Sequence, residues 1–186
     1  MTDILLLCTA NACRSVMAQA LLSRRLADRR VTASVRSAGI LDAGEPVSPG
    51  AVHALAARGI DASAHRSSQV GSDEMISADL VVAMARQHLR YAVVLAPQVW
   101  PRAFTLKELV RRGQASGPRR TDQPLEHWLA QLQEGRERLG LLGDCQSDDV
   151  ADPIGGPPEA YLATAAQLDA LLERLVDLAW GCDSPR

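Results

Sequence analysis

A cysteine and an arginine separated by five residues stand near the start of the chain, in Cys8-Thr9-Ala10-Asn11-Ala12-Cys13-Arg14-Ser15. Five intervening residues close a tight loop whose backbone N–H groups can converge on one point, and a helix that opens at Arg14 adds the positive end of its dipole. Such a nest attracts anions. The same field would favour the thiolate of Cys8, the form that attacks electrophiles. Arg14 can bind two oxygens of one ligand side by side, which a lysine cannot. Ser15 offers a hydrogen bond to the sulfur, and Asn11 can pin the loop through bonds from its side chain to the backbone. Thiol, nest and guanidinium together describe nucleophilic attack on a phosphate-like dianion, with Thr9, Ala10, Asn11, Ala12, Cys13, Arg14 and Ser15 holding it.

The elements around this loop are the ones it needs. Ile4-Leu5-Leu6-Leu7 reads as a strand, and 15–29 as a helix with Val16, Ala20, Leu21 and the stem of Arg24 along one side. Ala33–Arg36 forms a second strand. Ser48-Pro49 supplies an N-cap and a first-turn proline for a helix that runs to Arg58 and ends at Gly59. Leu80–Met84 is apolar on both faces, as in a strand of a parallel sheet. A helix over 86–95, a short strand at Ala103-Phe104-Thr105 and a helix from Leu106 follow. The alternation predicts a doubly wound α/β fold, with an approximately four-stranded parallel sheet between two helical layers. Ligands bind such sheets at the carboxyl ends of the strands, where Cys8 lies. Gly113–Arg120 reads as a flexible basic loop, Leu125–Leu139 as a helix with Leu125, Trp128, Leu129 and Leu132 on one face, and Glu159 to about Cys182 as a last helix.

In the Cys8–Ser15 loop, Ser37-Ala38-Gly39, Gly59-Ile60-Asp61 with His65, Ala78–Met84 and Asp152-Pro153-Ile154-Gly155-Gly156, the chain resembles the low-molecular-weight protein tyrosine phosphatases and the arsenate reductases built on the same fold. The likeness spans most of 1–186 as one domain; only about 113–147 looks foreign to it, and that segment reads as an insertion packed on the sheet or as a lid. The resemblance implies a phosphatase that forms a phosphocysteine on Cys8. Asp152 would protonate the leaving group and then activate water. It further implies that Asn11, Ser15, Ser37 and His65 form a hydrogen-bond network holding the loop in shape. Cys13 is placed to form a reversible disulfide with Cys8. The wall for the substrate would be Leu41 and Ile154, aliphatic where the family usually carries an aromatic side chain. Phosphotyrosine is the expected substrate; the missing ring and the small Ala12 leave room for another carrier such as phosphoarginine. Ser68 and Ala85 stand where arginine and aspartate are common in the family.

Composition narrows the alternatives. With 186 residues, 47% of them hydrophobic, the chain suits one domain with an adequate core. A net charge of −2 and scattered arginines give no footprint for nucleic acid, and no apolar run approaches the roughly 20 residues of a membrane span. A cytoplasmic, bacterial phosphatase acting on a phosphorylated protein or a small aryl phosphate, as a monomer or weak dimer, is the expectation. No cofactor or metal is implied, since His53, His65, His88 and His127 are dispersed and the four cysteines show no paired ligand spacing. Two rival readings stand beside it. An arsenate reductase would use Cys8 with an external thiol, because no relay cysteine lies between Cys13 and Cys145; a phosphate-binding module would hold the anion without turnover.

Overall fold

The computed structural model describes residues 1–181. Four parallel strands, β1 (Thr2–Cys8), β2 (Ala33–Gly39), β3 (Leu80–Ala83) and β4 (Ala103–Thr105), lie in the order β2-β1-β3-β4. Strand β1 is therefore internal, hydrogen-bonded to β2 on one side and to β3 on the other. Alternate residues of β1 enter different cores. Ile4 and Leu6 pack with α1 (Arg14–Asp28), α2 (Pro49–Ala56), α5 (Leu106–Ser116), α6 (Leu125–Leu132) and α7 (Pro158–Trp180). Leu5 and Leu7 pack with α3 (Ser72–Ser77) and α4 (Arg86–Leu95). This period of two explains why β1 and β3 read as continuous apolar runs. A strand buried between two helical layers has no polar face to show.

Several expectations need correction. Strand β2 continues through Ser37-Ala38-Gly39, which therefore ends the strand instead of following it. Ser48 makes no side-chain cap on α2, so proline at the first turn is the surviving start signal. Arg24 is exposed and donates to the Arg58 carbonyl. The segment read as a flexible loop at 113–120 is helical to Ser116 and breaks at Gly117, whose φ of +89° suits glycine. Beyond it, the Arg119 N–H donates to the Leu178 carbonyl at 2.8 Å. The helix expected to reach Leu139 stops at Leu132, and a turn containing Gly135, at φ +69°, leads to a 3-10 turn over Arg138–Leu141. Helix α7 starts within one residue of its expected position; Cys182 lies outside the described residues.

The segment 113–147 is tied down by buried side chains. Trp128 donates Nε1–H to the Gly117 carbonyl and packs with Leu129 and Leu132 in the core. Arg136 enters between the rings of Trp100 and Phe104, at 3.9 and 4.1 Å from their centroids, and pairs with Glu108 at 2.8 Å. A cation between two aromatic faces, with a carboxylate on its edge, is fully satisfied away from water.

Candidate active site

The carboxyl end of β1 delivers Cys8 directly into the loop, and α1 begins at Arg14. Within the loop Asn11 takes a φ of +50°, a left-handed conformation that asparagine tolerates better than most side chains. The amides of Ala10, Asn11, Ala12 and Cys13 donate to no acceptor among the described residues. Four such donors beside a helix N-terminus suit an anion.

One hydrogen bond fixes the proton directions of the network behind the loop. The Ser68 backbone N–H can only donate, and it meets Asn11 Oδ1 at 3.0 Å. Asn11 must then present its Nδ2 to Ser15 Oγ at 2.9 Å and to Ser37 Oγ at 2.8 Å. Ser37 passes its own proton to Gln19 Oε1 at 2.6 Å. Ser15, already accepting from Asn11, has its proton left for Cys8 Sγ, 3.0 Å away. His65 Nε2 lies 3.1 Å from the Asn11 carbonyl and 3.2 Å from Oδ1; both are acceptors, so Nε2 carries the hydrogen. The predicted Asn11, Ser15, Ser37 and His65 are thus brought together. Ser68, at a position without a sequence-based role, supplies the bond that orients them.

Arg14 is buried, with its guanidinium at the centre of the constellation. Nη1 donates to the Val150 carbonyl at 3.1 Å, and Nη2 reaches Asp152 Oδ2 at 2.6 Å and Thr9 Oγ1 at 3.4 Å. Asp152, with its side chain 40% exposed, faces both the guanidinium and solvent. Its second oxygen accepts the Ile154 N–H at 3.2 Å, and the turn closes through Gly155, at φ +80°. Thus a residue 138 positions after Arg14 returns an acid to the loop that carries the thiol.

The approach to Asp152 is clamped. Asp148 is buried and receives Arg86 at 2.7 Å and Arg111 at 2.8 Å. Burial opposes its ionisation, yet hydrogen bonds from the two arginines outweigh this and hold the carboxyl below the usual range. Asp149 accepts the Arg86 backbone N–H at 2.7 Å. It caps α4 from a distance, which explains how Ala85 can stand at the N-cap without a capping side chain. Val150 then donates to the Met84 carbonyl. Sequence spacing cannot reveal such bonds, because these arginine partners of Asp148 and Asp149 lie 37 to 63 residues away.

The remaining candidates divide. Cys13 is buried beside the loop, and burial pushes its thiol up to about 12; Cys8 and Cys13 are both free. Ala12 is buried, its carbonyl bound to the Ser48 N–H. Leu41, anchored by its N–H to the Thr9 carbonyl, and Ile154 are both exposed. Cys145, beyond the 3-10 turn, hydrogen-bonds Ser147 and not the loop. A cavity of about 750 Å³ lined by Met1, Asp79, Arg102 and Leu129 contains none of these residues. The histidine missed by the sequence reading is His88, whose Nε2 lies 2.9 Å from Thr9 Oγ1. No cluster of three metal-ligating side chains occurs among the described residues, and no described helix is long and apolar enough to cross a membrane.

A thiol in an amide-lined loop, a buried arginine and a facing carboxyl define the class of cysteine-dependent phosphatases. Residues 3–140 match the model of the low molecular weight phosphotyrosine protein phosphatase family. A protein-arginine-phosphatase of Geobacillus stearothermophilus is 35% identical over 94% of this chain and 93% of its own. A probable low molecular weight protein-tyrosine-phosphatase, EpsP, of Ralstonia solanacearum is 36% identical over 75% of this chain and 97% of its own. Among solved structures, the YwlE arginine phosphatase, in a cysteine-to-serine variant carrying a phosphorylated active-site serine, is similar with a TM-score of 0.72. It shares 30% identity, over 95% of this chain and 94% of that one. The chain belongs to the low molecular weight phosphotyrosine protein phosphatase family and is a hydrolase of that type.

Proposed function

We propose that the protein removes phosphate from protein side chains through a phosphocysteine on Cys8, with Asp152 as acid and then base. The observation that carries this reading is the 2.6 Å contact between Asp152 and Arg14, which brings the one facing carboxyl to the loop that holds the sulfur. In the free protein that carboxylate sits on Arg14 where a phosphate oxygen would bind. An arriving dianion takes over the guanidinium and the loop amides; Asp152, released from Arg14 and facing solvent, takes up a proton from water and turns to the leaving group. The Cys8 thiolate then attacks phosphorus, the bond from phosphorus to the leaving atom breaks, and Asp152 supplies the proton that atom needs. In the second step water attacks the phosphocysteine, Asp152 takes the water proton, and the sulfur leaves as a thiolate. The Ser15 hydroxyl, directed at Sγ by Asn11, stabilises that charge. Arg14 and the amides hold the equatorial oxygens, where charge is spread in the transition state.

For the side chain that carries the phosphate, the rim favours phosphoarginine. Asp42 and Glu45 are exposed on the 40–48 segment, which is bound to the loop through the Thr9 and Ala12 carbonyls. An acidic rim attracts a guanidinium. The exposed apolar residues Leu41 and Ile154 suit a slim aliphatic stem. The Geobacillus relative, matched over nearly its full length, supports this choice. Phosphotyrosine is the second reading, supported by the family description and the Ralstonia relative. Arsenate reduction is not favoured, since the Geobacillus and Ralstonia relatives are both named phosphatases.

The test compares phosphoarginine and phosphotyrosine on one peptide scaffold. Higher kcat/KM for phosphoarginine, lost in Cys8→Ser and slowed in Asp152→Ala, is expected. Preference for phosphotyrosine would transfer the chemistry to the second reading; undiminished turnover by Cys8→Ser would overturn it.

A further inference from the structure

A buried histidine stands behind the side chain of Thr9, the residue that follows Cys8 in the loop. His88, on the first turn of α4, is fully buried. Its Nε2 lies 2.9 Å from Thr9 Oγ1, and its Nδ1 has no partner. The same hydroxyl oxygen lies 3.4 Å from Arg14 Nη2, the nitrogen that also holds Asp152.

These contacts determine a proton arrangement. Burial, reinforced by the positive charges of Arg14 and Arg90, presses the imidazole down to about 3, so the ring is neutral in working conditions and carries one hydrogen. Placed on Nδ1, that hydrogen would be a buried donor without an acceptor, a rarer and costlier state than a bare lone pair. It therefore belongs on Nε2, directed at Thr9. The Gln87 amide, 3.3 Å from the same nitrogen, then presents its oxygen, since the two ends of an amide are interchangeable in shape. Thr9 Oγ1 now accepts from both His88 and Arg14, which occupies its two lone pairs. Its own proton is left to donate into the loop.

We propose that His88 is a positioning residue: its imidazole fixes the Thr9 hydroxyl as a donor to a non-bridging oxygen of the bound phosphoryl group and braces Arg14. This rests on the Cys8 phosphatase reading but is tested separately from it. His88→Leu, Thr9→Val and their combination are compared in kcat and KM on para-nitrophenyl phosphate, in affinity for inorganic phosphate, and in thermal midpoint. Each single change is expected to lower kcat roughly tenfold, the value of one oriented hydrogen bond. The double variant should be no slower than Thr9→Val alone. His88→Gln, whose amide N–H reaches the place of Nε2, should recover most of the loss, which a purely structural role would not produce. Wild-type kcat in a folded His88→Leu protein, or fully additive losses, would overturn the proposal. If the wild type itself turns nothing over, the phosphatase reading fails. Phosphate affinity then decides the His88 question: an equal drop in His88→Leu and Thr9→Val supports it, and unchanged affinity refutes it.

Discussion

Gly39→Ala probes how tightly the end of β2 abuts the anion loop. A Cβ at Gly39 would come within 2.8 Å of the Thr9 carbonyl oxygen, 2.9 Å of the Ala10 carbonyl carbon and 2.9 Å of the Asn11 nitrogen. All three neighbours are backbone, so no rotamer change can relieve the contact. Ordinary contact needs separations of roughly 3.4 Å or more, so the strand end and the loop must part by about half an ångström. Overpacking of this kind costs about 1–3 kcal/mol of stability. The activity should suffer as well, because a 1 Å misplacement of positioned groups can cost about 100-fold and half of that displacement roughly tenfold. Urea unfolding and kcat/KM on para-nitrophenyl phosphate would be measured together, with Gly71→Ala as the control. A Cβ at Gly71 meets nothing nearer than Glu74 Oε2 at 3.9 Å. Wild-type stability and rate in Gly39→Ala would refute the claim that this glycine sets the loop's position.

Three further outcomes follow from the buried charges. His88 titrates near 6.5 when unfolded and at about 3 when folded, so its stabilising effect is present above pH 6.5 and lost as pH falls. Linkage predicts about 2 kcal/mol less stability at pH 5 than at pH 7, a difference that largely disappears in His88→Gln; equal pH dependence of the two by urea unfolding would contradict this. Asp148→Asn keeps the size of the side chain but removes the charge shared by Arg86 and Arg111. It should lower kcat several-fold while phosphate affinity holds, with a stability loss of about 1–2 kcal/mol, the pairing being discounted because Arg111 is half exposed. Arg136→Leu leaves Glu108 buried with Arg112 as its remaining ion-pair partner, and removes the cation between Trp100 and Phe104. A loss of about 3 kcal/mol in unfolding free energy, with kcat nearly unchanged at a temperature where the protein stays folded, is expected.

The parts of this fold that were legible from sequence are those determined by contiguous residues. The apolar run before Cys8, the small residues of the loop and the apolar spacing along 15–29 each report on their own surroundings, and the structure places β1, the loop and α1 accordingly. Helix α3 was not foreseen, since Ser72–Ser77 is six residues with only Met75 buried and too short to show a period. The helix expected at 125–139 ends early because Gly135 turns the chain and Arg136 must reach inward to Glu108, a partner 28 residues away. The site follows the same rule. Cys8, Arg14 and Ser15 are read from one motif, and Asp152 came from the family resemblance. Asp149 as the cap of α4, Ser68 as the orienter of Asn11 and His88 behind Thr9 depend on chain crossings that no local pattern encodes.

A phosphatase of this kind passes the phosphoryl group through the Cys8 sulfur during turnover. Asp152→Ala should form the covalent intermediate from an activated aryl phosphate and hydrolyse it slowly, because the base for the second step is gone. Rapid quenching during turnover followed by peptide mass spectrometry should find one phosphoryl group on the peptide containing Cys8, on sulfur, and none in Cys8→Ser at that atom. Turnover without a trapped phosphoryl group, or label on any residue other than Cys8 in a protein with its cysteine intact, would contradict the central claim.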